Sequence, residues 1–190
     1  MKTCFRINEF CKEVIRYVGS GYSSIKFVEV PQNKEHKLNG IKTKVEITYG
    51  TNLTRGKRQW NRIKSRANFA AVSYKNIICI FKTHGSENLT KNDFVNALGL
   101  EMKFSSFLTL VLIKDERSKL TFKLGRDTFR WFKGEYQLSF KNGNGKNFHT
   151  LQKMWKGLPA FKGIGQQRKL LNVYLKELNK TYKKKWDIKF

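Results

Sequence analysis

The chain has 190 residues, enough for one domain or two small ones fused, and its 39% hydrophobic and 14% aromatic content sets it apart from a disordered charged tail. Lys and Arg number 39 against 14 Asp and Glu, a formal net charge of +25, and a free chain with that excess repels itself as it compacts. A polyanionic partner offsets that repulsion, with nucleic acid the leading candidate and an anionic membrane surface a distant second.

Taken in chain order, Ile7, Phe10, Cys11, Val14, Ile15 and Val18 recur at helical spacing, so residues 4–18 predict an amphipathic helix that stops at "GSG". "SIKFVEV" (24–30) alternates and ends at Pro31, which reads as an edge strand. Leu38, Ile41, Val45 and Tyr49 favour a helix over 38–49, although "KVEITY" alone resembles a strand. Thr54 is placed to cap a basic helix over 55–66. "NFAAVSYKNIICIFKT" predicts two strands, 69–74 and 77–83, joined at Lys75 and Asn76. "HGSENLTKNDF" is a loop, and Thr90 would cap a short helix near 91–97.

"MKFSSFLTLVLIK" and "KLTFKLG" are further strands around the turn "DERS". From Asp127 the period becomes helical, and Phe129, Phe132, Tyr136 and Phe140 form a core stripe. "FHTLQKMWKGL" is a second helix, closed by Gly157 and Pro159. The longest helical pattern follows, with Leu171, Leu175, Leu178 and Tyr182 on one face. Strands and helices are segregated, which predicts α+β: a small, mostly antiparallel sheet with an N-terminal helix and a helical C-terminal half. The change of period places a sheet-bearing basic region at 1–125 and a helical region at 126–190, which could pack as one domain.

The strongest chemical signal is "RGKRQWNRIKSR". At about 100° per residue, Arg55, Arg58, Arg62 and Arg66 share a ridge and Lys57 and Lys64 form a second row, leaving Trp60 and Ile63 to face the protein. No acid interrupts the run, and an unmixed cationic ridge fits a phosphate backbone better than a solvated surface. The C-terminal helix repeats the signal with Lys162, Arg168, Lys169, Lys176, Lys180, Lys183 and Lys184, and "KGIG" (162–165) at its start could expose backbone N–H groups to a phosphate. Trp186, in "KKKWDIKF", is the best ring for stacking an unpaired base.

Catalytic options are sparse. Asp93, Glu101 and Lys103 have the order of a carboxylate nuclease site that would need Mg²⁺. His84 could act as a general base on a ribose 2′-OH without metal, helped by Tyr74, Lys82 and Ser86. Cys4, Cys11 and Cys79 lack ligand spacing and read as reduced thiols, with Cys4 and Cys11 on one helix face; no other cofactor or metal is implied.

The expectation is therefore a non-catalytic nucleic-acid-binding protein, RNA favoured over DNA because rings accompany the charge, possible company for other proteins in a ribonucleoprotein. The alternative is an endonuclease of a mobile element or RNA-processing system. "MKTCFRINEF" lacks a signal-peptide core and "FLTLVLI" (107–113) is too short to span a bilayer, so a cytoplasmic or nucleoid-associated location is expected.

Overall fold

The computed structural model describes residues 1–87 and 93–188. The fold is mixed α+β, in two compact units, Met1–Leu100 and Glu101–Phe190. Both are cationic, with 18 Lys and Arg against 7 Asp and Glu in the first and 21 against 7 in the second, so charge alone does not assign a site to either.

The first unit comprises β1 (Lys2–Cys4), α1 (Ile7–Gly19), β2 (Ser24–Glu29), a 3₁₀ turn (Gln32–Lys37), α2 (Leu38–Tyr49), α3 (Arg55–Ile63), β3 (Phe69–Tyr74), β4 (Ile77–Lys82) and β5 (Val95–Asn96). The strands form one sheet in the order β1-β3-β4-β2-β5, parallel only between β1 and β3. Every residue of β4 is buried, because both faces of the sheet are covered. Val30, Ala71, Ile78 and Ile80 form a core against which Leu38, Ile41, Val45 and Tyr49 of α2 pack, the stripe expected for that helix. On α1, Phe10, Cys11 and Val14 are buried, and Tyr17 stacks on Phe81 with ring centroids 4.8 Å apart. Each such large apolar side chain contributes about 1.5–3 kcal/mol on full burial.

Three local expectations change. β2 pairs with β4 along its length and with β5 only at Ser24 and Ile25, so among the described residues it is an edge over 26–29 but not at its start; Pro31 follows the strand and removes no ladder donor. Cys4 lies on β1 and so shares no helix face with Cys11; a three-residue strand is too short to show a period. Thr90 and the first part of the helix expected near 91–97 lie outside the described residues, and Val95–Asn96 is a strand.

The second unit comprises β6 (Glu101–Lys103), β7 (Thr109–Lys114), β8 (Leu120–Leu124), α4 (Arg126–Lys141), α5 (Gly145–Lys156) and α6 (Lys162–Thr181). Its strands make an antiparallel meander in chain order. The units thus divide at Leu100, earlier than the change of period near 125, because the meander folds with the helices that follow it. Phe132, Tyr136 and Phe140 of α4 are buried, and Phe132 meets buried Trp155 of α5 edge-on at 4.9 Å. Gln167 of α6 caps the end of β8: its Oε1 accepts from Leu124 N at 2.7 Å and its Nε2 donates to Leu124 O at 3.1 Å. That side-chain amide stands in for a neighbouring strand and satisfies backbone groups that would otherwise stay open.

Candidate nucleic-acid interface

α3 begins as expected. Thr54 is extended (φ −64°, ψ 161°) and its hydroxyl accepts from Lys57 N at 3.4 Å, while Arg58 N donates to Thr54 O at 3.0 Å. The helix stops at Ile63, short of the expected 66, and Lys64 forms the C-cap. Ser65 then takes a left-handed conformation (φ 52°) that turns the chain, and Arg66 N donates back to Asn61 O at 2.8 Å. Arg66 therefore leaves the expected arginine ridge, which ends at Arg62.

The face that docks α3 is polar. The Arg58 guanidinium donates to Thr51 O at 2.8 Å and to the Tyr22 hydroxyl at 3.4 Å. Asn61 Nδ2 donates to Asn68 Oδ1 and Asn68 Nδ2 donates to Arg58 O, both at 3.0 Å. Asn68 and Thr51 are buried; Asn61 and the Arg58 carbonyl pair the Asn68 amide, and the Arg58 guanidinium pairs the Thr51 carbonyl. Trp60 and Ile63 consequently do not face the protein; they are 48% and 70% exposed. Apolarity alone selects the wrong inward face because buried amide groups, rather than rings, anchor this helix.

What remains outward is a cationic surface with a ring in it. Arg55, Lys57, Arg62, Lys64 and Arg66 are exposed, and none makes an ion pair among the described residues. The Arg66 guanidinium carbon lies 5.0 Å from the centroid of Trp60, so a cation–π contact holds Arg66 beside the ring although it is off the helix. Leu53, Arg55, Arg58, Gln59 and Arg62 line a hollow of about 470 Å³ along the helix.

A larger cleft of about 740 Å³ opens at the end of α3. Arg62, Ser65 and Arg66 line one wall, Thr83, His84, Gly85 and Ser86 another, with Ser20 and Gly21 alongside. Its walls are tied together: Ala67 N donates to Ser86 O and Ser86 N to Ser65 O, both at 2.9 Å. Thr83 N donates to Asn68 O at 3.0 Å, and the Thr83 hydroxyl accepts from Asn68 N at 2.8 Å. Gly85 is required here, since φ is +140° and a Cβ would sit 2.6 Å from Ala67 N and from the Arg66 carbonyl carbon. His84, read from the sequence as an unrelated catalytic candidate, thus shares a cleft with Arg62, Arg66 and Ser86. Its other expected helpers are elsewhere engaged. Tyr74 pairs with Ile77 at the opposite end of the β3–β4 hairpin, and Lys82 is ion-paired with Glu87 at 2.5 Å. Ser20, Ser65 and Thr83 were missed; the only signal for them was small polar residues at three element ends.

α6 looks different from its sequence. Lys162 is ion-paired with Asp115 at 2.7 Å. That hydrogen bond, joined by the Lys119 and Arg117 backbone N–H groups, pulls the Asp115 carboxyl down to about 2. Gly163 is buried, its N–H donates to the Thr121 hydroxyl at 3.2 Å, and a Cβ there would lie 2.5 Å from Phe122 O. The "KGIG" stretch is therefore a joint between α6 and β8, and not the exposed phosphate cradle the sequence allowed. Arg168 and Lys184 are half-buried, while Lys169, Lys176, Lys180 and Lys183 are exposed and share the surface with Leu170, Val173 and Glu177. Trp186 is no free stacking ring: it packs on Phe140 and Phe148 at 4.5 and 4.8 Å, and Asn179 bonds both its backbone N and O.

The carboxylate candidates fall in different units. Asp93 is ion-paired with Lys26 at 2.8 Å in the first. Glu101 and Lys103 flank buried Met102 on β6 in the second, both exposed. Among the described residues no three His, Cys, Asp or Glu side chains are grouped to hold a metal ion. The three cysteines are free and buried, and burial pushes the thiols of Cys11 and Cys79 upward. No helix among the described residues is long and apolar enough to cross a membrane. Compared with protein-family models, curated proteins and solved structures, the chain finds no match, so charge and geometry carry the functional reading.

Proposed function

We propose that the chain is a nucleic-acid-binding protein that docks an unpaired strand, RNA in preference to DNA, on the outward face of α3, and that it serves as a component of a ribonucleoprotein. One observation carries this reading: Arg55, Lys57, Arg62, Lys64 and Arg66 are exposed without a carboxylate partner among the described residues, and exposed Trp60 lies against Arg66. Five uncompensated cations in one small region raise the energy of the free protein, and a run of phosphates removes that penalty. A ring exposed among them supplies a sequence-tolerant surface for a base. Duplex contact needs no such ring, which is why a single strand fits better.

Titration of a labelled single-stranded RNA at several salt concentrations tests the proposal. Five phosphate contacts give a slope of log K against log salt of about −3.5. A slope near zero would refute phosphate-driven docking. Liposome flotation serves as the control for anionic lipid, whose case on α3 rests on two exposed apolar side chains.

A second reading, the endonuclease, has one observation in its favour: His84 shares a cleft with Arg62 and Arg66, which would place an imidazole beside a held phosphate. Incubation with labelled RNA and DNA, with and without Mg²⁺, separates it from pure binding. Metal-free RNA cleavage abolished by His84→Ala supports it. Mg²⁺-dependent cleavage abolished by Glu101→Ala would move the chemistry to the second unit, and absence of any cleavage would reject both.

A further inference from the structure

The α3 surface explains non-specific attraction to a strand. The cleft at its end has a chemistry of its own. Two guanidinium groups, Arg62 and Arg66, and the exposed imidazole of His84 line one concavity with the hydroxyls of Ser65, Thr83 and Ser86. Neither arginine has an ion-pair partner among the described residues; the carboxylate of Glu87, which lines a neighbouring hollow with Arg66, pairs through Oε1 with Lys82. The walls are held by backbone bonds across the cleft, and three lining residues have positive φ, Gly21, Ser65 and Gly85.

We propose that this cleft is a pocket for a terminal phosphomonoester of the bound strand. The inference rests on the nucleic-acid reading above and deepens it. An internal phosphodiester carries one negative charge, whereas a monoester carries about −1.5 to −2 and offers three strong acceptor oxygens. Two guanidinium charges and a third N–H donor match the monoester in both charge and donor count. Arginine forks suit it further, because each can bind two oxygens of one phosphate. Trp60 lies against Arg66, so the first base beside that phosphate has a ring within reach of the same guanidinium. The hollow lined by Arg55, Gln59 and Arg62 then receives the rest of the backbone.

The test uses the full chain and one short RNA sequence in three forms, bearing a 5′-phosphate, a 3′-phosphate or only hydroxyl ends, with affinity read by fluorescence anisotropy at fixed salt. One phosphorylated form is expected to bind about tenfold more tightly than the hydroxyl form, the gain from one additional set of charge-assisted bonds. Which end wins identifies the strand's polarity on the surface. Arg66→Gln and His84→Gln should each erase most of that preference, whereas Arg55→Gln should weaken all three RNAs alike. Arg62→Gln repeats the test at a side chain that makes no hydrogen bond or ion pair among the described residues, should Arg66→Gln disturb the turn. Inorganic phosphate should compete with the favoured RNA and spare the hydroxyl form. Equal affinity for all three RNAs overturns the pocket and leaves the nucleic-acid reading standing. A preference that survives the Arg62, Arg66 and His84 variants also overturns the pocket. Failure of the unaltered chain to bind any of the three overturns the parent reading.

Discussion

α3 and α6 are both basic helices with a glycine in the first turn, and each keeps exposed cations, but the two dock in different ways and only one sets a tryptophan among them. α3 turns Arg58 inward to satisfy buried backbone and hydroxyl groups and leaves Arg55, Lys57, Arg62 and Trp60 in solvent. α6 spends Lys162 on Asp115, half-buries Arg168, and is followed by a tail whose tryptophan fills the space over Phe140 and Phe148. The difference lies in the anchor. A helix docked by leucines, as α6 is by Leu171, Leu175 and Leu178, can recruit its remaining residues into the core of its own unit. A helix docked by a few polar bonds presents its apolar groups outward together with its charge. Charge density marks both helices, and exposure of charge beside a ring distinguishes one.

The largest effect that sharpens this contrast is at the start of α6. Gly163→Ala should destabilise the chain by about 2–3 kcal/mol in chemical denaturation, because the added carbon meets backbone at 2.5 Å. Gly165→Ala, which meets nothing, should leave stability unchanged or slightly raised and RNA affinity untouched. A marked loss of RNA binding in Gly165→Ala would revive a phosphate site at that turn and break the comparison. Next comes the pair on α3. Arg58→Ala should cost about 2 kcal/mol of stability through its lost bonds to Thr51 and Tyr22. Arg62→Ala should stay within about 0.5 kcal/mol in the same denaturation series while weakening RNA binding. The reverse pattern would mean that the inward and outward faces have been exchanged.

A smaller effect concerns Asp115. Its folded-state value, about 2, lies below the ordinary carboxylate value of about 3.9, so its contribution is present above the latter and disappears as pH falls from there towards 2. Asp115→Asn should therefore flatten the acid limb of the melting temperature against pH, and an unchanged limb would show that Lys162 is not held. The released Lys162 should leave RNA affinity unchanged. The smallest effect is at the thiols. Cys4, Cys11 and Cys79 should resist an aromatic disulfide reagent in the native chain and all react once it is unfolded; rapid native labelling would contradict their burial.

Much of the fold could be read from period. The α2 stripe, the β3–β4 hairpin, and the stripe of Phe132, Tyr136 and Phe140 all declare themselves because each buries a repeating face. β1 was illegible because three residues carry no period, and its meaning lies in a parallel partner some seventy residues away. The site was half legible. The acid-free run from Arg55 to Arg66 is plain in the sequence, and so is the cap at Thr54. The inward turn of Arg58 was not, because it depends on the burial of Asn68 and Thr51, which only tertiary packing decides. The meeting of His84 with Arg62 and Arg66 was hidden for a similar reason: backbone bonds from Ser65 and Ala67 to Ser86 join segments about twenty residues apart. Trp186 misled because a ring among lysines reads as exposed, whereas Asn179 and two phenylalanines draw it in.

The most direct measurement compares two double variants on one single-stranded RNA: Arg55→Gln with Arg62→Gln on α3, and Lys176→Gln with Lys180→Gln on α6. Each pair removes two exposed positive charges, so net charge changes equally. The α3 pair should lower affinity by about tenfold or more and make the salt slope shallower by about 1.4, while the α6 pair should change both only slightly. Equal losses from the two pairs, or a greater loss from the α6 pair, would contradict the assignment of the interface to α3.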